Sequence, residues 1–519
     1  MSLIRKFASV GSATMTSRIL GFVREVMIGG LLGTGPIADA FYAAFRFPNL
    51  FRRIFAEGAF NSAFVPLFAK ELETGGKQAA REFAEKILAI LIPVLLLLSA
   101  LAMIFMPLLV GTIIAPSFAK DASKFEITVS LARIMFPYLA AMSIVAMLSG
   151  ILNSFRHFFL AAIAPVLLNV VLVSVLVTAA VWGWSEREIG FALAWGVLAS
   201  GILQMALLIW GVRRQGFGIS LSFPRISPEV KRLLVLAVPT AIASGITQIN
   251  LLVSQVIASA QSGAIAIMNY ADRLAQLPLG IIGISIGIVL LPELSRALAD
   301  KDAAQAQKLQ DRSIEFGLGL TLPAAVGLFL IPLPLIALVY ERGAFDREAT
   351  EITAQVLAAF AVGLPAFVLI KIFQPSFYAR EDMRTPMWFS GFNAVTNIVL
   401  ALLLFPVYGV VGLAAATSAA GWLNAILLYG KLHIDRQYQV SGTTLKNMSL
   451  IAVGCAVMAG VLVLGRQQFS EMLIEAALLT RILSVSVLIM VAMIVYFGFV
   501  LASGAIERGQ LLSLFRREA

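Results

Sequence analysis

Eight basic residues, Arg18, Arg24, Arg46, Arg52, Arg53, Arg133, Arg273 and Lys371, interrupt stretches otherwise apolar enough to cross a membrane. A charge near the bilayer centre costs a few kcal/mol or more unless it is paired, hydrated or lines a cavity. Only four acids, Glu25, Asp39, Glu57 and Asp272, lie at comparable positions. The intramembrane surplus is therefore positive, and it gathers in the first two spans and at one distant site. A hydrated cationic cavity inside a transporter suits an anionic cargo.

The second span has the strongest local pattern. Asp39, Arg46, Arg53 and Glu57 are spaced by seven, seven and four residues, so an α-helix places them on one face, with Asn49 on the same stripe. At 1.5 Å per residue the stripe runs about 27 Å, nearly the thickness of the hydrocarbon core. Pro48 interrupts it and supplies a kink. Arg52 lies off the stripe, toward a neighbouring helix or the cytoplasmic mouth; the plainer reading makes Arg52, Arg53 and Glu57 snorkelling residues at the helix end. On the first span Arg18 and Glu25 share a face, as do Ser17 and Arg24. The alternative for either arginine is a structural ion pair with Asp39, but the acids run out before the arginines do.

Asp272 and Arg273 occupy the repeat-equivalent place in the second half of the chain. Neighbours on a helix diverge by about 100°, so the two can meet different partners. An arginine from each half would clamp a diphosphate well, because the guanidinium presents fixed bidentate donors and stays charged. Asn393, Thr396 and Asn397 form a polar patch that either joins two helices or holds a cation; helix contact is the expected role. The charged loop from Tyr378 to Pro386 reads as a helix start, with Thr385 the N-cap and Pro386 the first helical residue. No phosphate-binding glycine loop, nucleophile with its base, or metal-binding histidine cluster occurs, which disfavours an enzyme or an ATP-driven pump.

Composition sets the class. The 519 residues are 60% hydrophobic and 13% charged, with mean hydropathy +0.91, the signature of a polytopic helical membrane protein. The ten-residue alternation of an outer-membrane barrel is absent. Arg5 and Lys6 precede an apolar stretch broken by Arg18 and Arg24, so a retained first helix is expected and not a signal peptide. Cys455 is the only cysteine, which rules out a disulfide framework; His157 and His433 fall in predicted loops. The net charge of +10 fits basic cytoplasmic loops better than nucleic-acid binding.

Fourteen spans are expected, near 8–32, 36–66, 87–115, 127–152, 159–183, 188–212, 233–261, 265–295, 313–340, 350–376, 385–406, 409–430, 447–465 and 482–503. With the N-terminus inside, predicted cytoplasmic segments carry 24 of the 39 Lys and Arg residues, external loops 7 and the spans 8, so both termini are expected in the cytoplasm. The chain also repeats weakly. Val65-Pro66-Leu67 with Glu71-Leu72 echoes Leu291-Pro292 with Ala297-Leu298, Ala44-Phe45-Arg46 pairs with Ala271-Asp272-Arg273, and Phe155-Arg156 is shadowed by Phe377 and Arg380. Six spans separate the copies, so they run in parallel and predict two pseudo-symmetric six-helix bundles, 1–215 and 216–435. The last two helices, within 436–519, are an addition.

The run Thr16-Ser17-Arg18-Ile19-Leu20-Gly21-Phe22-Val23-Arg24-Glu25, then Ala38-Asp39-Ala40-Phe41, then Pro48-Asn49-Leu50-Phe51-Arg52-Arg53-Ile54-Phe55-Ala56-Glu57-Gly58-Ala59-Phe60 resembles the signature of the MurJ family of bacterial lipid II flippases, in the MOP exporter superfamily. The likeness continues through Ala271-Asp272-Arg273-Leu274 and Phe377-Tyr378-Ala379-Arg380 and covers the whole chain. It implies a V-shaped pair of lobes with alternating access. Arg18, Arg24 and Arg273 would line the cavity against a pyrophosphate, Asp39, Arg52, Arg53 and Glu57 would be functional positions, and Ser17 and Asn49 accessories. Position 25 holds Glu where relatives can carry Asp. The last two helices would form a groove for the undecaprenyl tail.

The expected activity is movement of lipid II from the inner to the outer leaflet of the bacterial cytoplasmic membrane, with no resident cofactor. A coupling cation or the membrane potential would drive the return. Expected partners are lipid II, membrane lipids and cell-wall synthesis proteins, with the chain a monomer. A flippase for another polyprenyl-linked polysaccharide is the nearest alternative. A MATE-type drug exporter expels cations and would need an acidic cavity. A non-transporting scaffold would leave the arginines as structural pairs.

Overall fold

A computed structural model of the chain describes residues 3–54 and 60–505. Among the described residues all regular structure is helical, and the chain divides into two compact units.

The first unit, Met1–Ala266 with Arg342–Phe345, holds α1 (Leu3–Leu32), α2 (Pro36–Phe51), α3 (Asn61–Ile104), the short α4 (Met106–Leu109), α5 (Ala122–Met135), α6 (Tyr138–Ser154), α7 (Phe158–Trp182), α8 (Glu186–Arg214) and α9 (Pro228–Ala258). Their starts follow from local chemistry. Pro36 opens α2, where its missing N–H costs nothing. Ser185 and Glu188 form a reciprocal cap on α8: the Ser185 hydroxyl accepts from the Glu188 N–H, and the Glu188 carboxylate accepts from the Ser185 N–H at 2.8 Å. α7 is apolar all round and packs against α1 and α8, while α2 packs against α5 and α6 against α8.

The segment Arg342–Phe345 docks on the end of α1. The Ala344 N–H donates to the Gly30 carbonyl at 2.9 Å. Gly33 and Gly343 have φ of +55° and +57°, and a Cβ on Gly343 would stand 2.2 Å from the Gly30 oxygen. Both left-handed backbone and close approach therefore require glycine there.

The second unit, Ile267–Glu341 with Asp346–Ala519, contains most of α10 (Ala264–Ala299), then α11 (Ala303–Leu330), α12 (Pro332–Val339), α13 (Arg347–Tyr378), α14 (Arg384–Ile434), α15 (Gly442–Gln468), α16 (Ser470–Ile474) and α17 (Leu478–Ala502). Leu294, Ile314, Ile372, Phe377, Leu432 and Tyr438 build its core. α15 and α17 join it through Ile451, Met458, Tyr496 and Val500, and the buried Tyr496 hydroxyl donates to the Gly319 carbonyl at 2.6 Å.

Nine described spans are long and apolar enough to cross a membrane, one of them formed by α5 and α6 together. Another, α14, breaks at Gly409 (φ 55°, ψ −140°) beside Pro406 and so comprises two helices. α1 fails the same test because Arg18, Arg24 and Glu25 lie within it, and α2 because it is short. The division between units falls at Ala266, whereas the repeat placed it near 215; α9 packs against α3 and stays with the first unit. Two local expectations are corrected. The N-cap of α14 is Met383 and not Thr385, and the carboxylate of Asp382 just before it accepts from the Arg384 and Thr385 N–H groups at 3.1 and 3.0 Å. His433 lies in the last turn of α14 and not in a loop.

Candidate polar site of the first unit

α1 and α7 cross where each is least apolar. Arg24, 8% exposed, donates through Nη1 to Asn169 Oδ1 at 2.9 Å and through Nη2 to Glu25 Oε1 at 2.5 Å. Glu25, 3% exposed, also accepts from the Tyr42 hydroxyl at 2.5 Å. Asn169 Nδ2 turns back to α1, donating to the Ser17 carbonyl at 2.9 Å and to its hydroxyl at 3.3 Å. Ser17 and Arg24 thus share a face as their spacing predicts. Gly21 lies between them, and a Cβ there would meet the Asn169 amide at 3.6 Å. Arg24 Nε is buried with no hydrogen-bond partner, so that donor of the guanidinium is unused. Arg18 is exposed and has no ion-pair partner among the described residues, unlike the buried Glu25 two turns on.

Asp39 is sealed elsewhere. It is fully buried, its Oδ2 accepts from Lys124 Nζ and the Gly263 N–H at 2.7 Å each, and its Oδ1 accepts from the Ala266 N–H at 3.0 Å. The carboxylate therefore caps the start of α10, where anionic charge is favoured. Lys124 also sits 4.1 Å from the centroid of the Phe118 ring. The expected single polar stripe is not continuous in this structure. Asp39 is enclosed, Arg46 and Asn49 are half-buried, and Arg53 is exposed. The helix also widens to π-type turns at 52–54, which breaks the 3.6-residue register on which the spacing rests. Asn49 accepts from Arg52 Nε at 2.9 Å, tying Arg52 to the stripe it was expected to avoid. Glu57 lies outside the described residues.

In the second unit Asp272 and Arg273 are both half-buried, and Asp272 accepts from Gln276 one turn on. Asn397 accepts from Thr417 at 3.3 Å, which joins the two parts of α14. Arg133 is held by the Met103 carbonyl at 2.9 Å, and Lys371 is exposed on α13. Among the described residues no group of His, Cys, Asp and Glu could hold a metal ion.

Three participants escape a reading of charge alone. Asn169 and Tyr42 are neutral, although an amide inside the apolar run of α7 is itself a signal. Lys124 reads as an external-loop residue because the apolar stretch starts after it, yet α5 begins at Ala122 and carries it inside.

The family model described as lipid II flippase MurJ matches residues 28–502. The chain belongs to the MurJ family. A probable lipid II flippase MurJ of Rhizobium meliloti (strain 1021) is 50% identical over 518 residues, covering 100% of this chain and 96% of the relative. A solved lipid II flippase MurJ in an inward closed conformation superposes with a TM-score of 0.73 at 24% identity, over 94% of this chain and 98% of that one. An inward-facing MATE multidrug transporter of the MOP superfamily superposes at 0.67 with 15% identity, over 83% of this chain and 98% of its own. These structural likenesses show a shared fold, and the MurJ family match separates this chain from the drug exporters.

Proposed function

We propose that the chain carries lipid II from the inner to the outer leaflet of the bacterial inner membrane. The polyprenyl tail stays in lipid while the anionic headgroup passes through a hydrated, cationic interior. Membership in the MurJ family supports the cargo. The observation that carries the chemistry is Arg24, a guanidinium buried in the first unit with its Nε unengaged. Arg18 and Arg24 in the first unit and Arg273 in the second are assigned to the pyrophosphate. Glu25, Tyr42, Asn169 and Ser17 position Arg24. Arg46, Asn49, Arg52, Arg53, Glu57 and Asp272 are assigned to the path of the headgroup, and Asp39 to holding α10 in the state seen here.

Two conformations that bind the headgroup differently suffice for movement without a covalent intermediate. Fourteen crossings with both termini cytoplasmic fit the charge asymmetry of the loops, and the membrane potential or a cation gradient would drive the return. Complementation of a depleted strain tests the clamp. Arg24→Lys and Arg273→Lys keep the charge and lose the bidentate fork, so growth should fail while immunoblots show near-normal abundance. Full growth with both lysines would show that charge alone suffices.

A further inference from the structure

The end of α8, the segment joining it to α9 and the first turn of α9 together form the most basic short stretch of the chain. Residues 213–232 hold Arg213, Arg214, Arg225, Lys231 and Arg232 against one acid, Glu229. That acid is already engaged. Hydrogen bonding with Ser227 and its own backbone, then with Lys86, holds its carboxyl down to about 2, and Lys86 Nζ stands 3.0 Å from it.

The segment is fastened along its length. Phe217 is buried between Phe68 and Phe155, with ring centroids 5.8 and 5.2 Å away. Ser220 donates from N–H and hydroxyl to Glu85 Oε1 at 2.8 and 2.6 Å, and the Ser222 hydroxyl donates to the Glu85 carbonyl at 3.3 Å. Ser227 caps α9 through the Val230 N–H. In extended chain alternate residues face opposite ways, so with the serines turned in, Leu221 and Phe223 are turned out. They are 74% and 83% exposed, and Ile226 is 71% exposed. Three large apolar side chains held in the open on a fastened segment mark a surface that something covers.

The cover is identified by position and charge. The segment leaves α8, a helix fit to span the membrane, at a half-exposed tryptophan, Trp210, over which the Arg214 guanidinium sits at 5.2 Å. Tryptophan beside arginine at a span's end marks the headgroup level, and clustered cations with apolar side chains are the elements of an anionic-membrane anchor. We propose that residues 221–226 lie on the anionic surface of the membrane the chain spans, with Leu221, Phe223 and Ile226 entering the headgroup layer and the flanking cations binding lipid phosphates. Through Glu85 the anchor holds α3 at that surface.

The test uses full-length protein with Cys455→Ser, an environment-sensitive fluorophore on Leu221→Cys, and the same label on Thr74→Cys as an exposed control. The protein is placed in vesicles of phosphatidylcholine alone or with a third phosphatidylglycerol. Spin-labelled lipid should quench the 221 label several-fold more than the control, and more so with phosphatidylglycerol. Phe223→Asp should reduce that quenching, and Arg225→Gln with Lys231→Gln and Arg232→Gln should remove its dependence on phosphatidylglycerol. Quenching by aqueous iodide equal to the control would overturn the proposal. So would lipid quenching indifferent to phosphatidylglycerol, or protection seen in native membranes and absent from pure lipid, which would assign the surface to a protein partner.

Discussion

Arg24 is held from two helices at once, by Glu25 beside it in sequence and by Asn169 from α7. A hydrogen bond to a charged group contributes about 1.5–3 kcal/mol, so Asn169→Ala should loosen the guanidinium without removing it. Transport should fall on the order of tenfold at near-normal abundance, read by complementation and immunoblot; unchanged transport would remove Asn169 from the positioning network. Asp39 has a different task. Losing one partner of a buried ion pair costs about 3–5 kcal/mol because the other charge remains, so Asp39→Asn should lower thermal stability by stranding Lys124, and adding Lys124→Met should recover most of it. Restored stability with transport still absent would separate a role in the cycle from a role in folding. At this scale the sequence shows the arginines, because their type betrays them in apolar surroundings. It hides Asn169 and Lys124, whose meaning depends on which helices touch: α1 with α7, and α2 with α5 and the start of α10.

The elements themselves are largely legible, because long apolar runs bounded by charged loops leave few choices in a bilayer. The failures occur where periodicity breaks. The π-type turns at 52–54 follow directly on the α-helical register that carries Asp39, Arg46 and Asn49, and no residue type announces such a turn. α14 starts at Arg384, ahead of Thr385, where the Asp382 carboxylate reaches two of its first N–H groups. The docking of Arg342–Phe345 on α1 is invisible locally, since Gly343 is distant in sequence from Gly30 and Gly33. Gly343→Ala would combine left-handed backbone with a 2.2 Å contact and should cost about 1–3 kcal/mol or more. Gly76→Ala carries a similar φ of +72° with open space around it, so it should cost less. Thermal denaturation of the purified variants checks the order; equal losses would show that the close contact relaxes freely.

For the whole molecule, the family likeness spans almost the full chain, and composition alone places it in a membrane. The parallel repeat pointed to two halves, and the compact units divide elsewhere, with α9, which packs against α3, in the first. The central claim is that intramembrane cations serve an anionic, lipid-linked cargo. It is tested most directly by purified protein in liposomes, with translocation of lipid II measured beside that of a polyprenyl lipid bearing a neutral headgroup. Lipid II should cross, the neutral lipid should not, and Arg24→Ala with Arg273→Ala should abolish the difference. Equal movement of both lipids, or lipid II movement unaffected by loss of the two arginines, would contradict it.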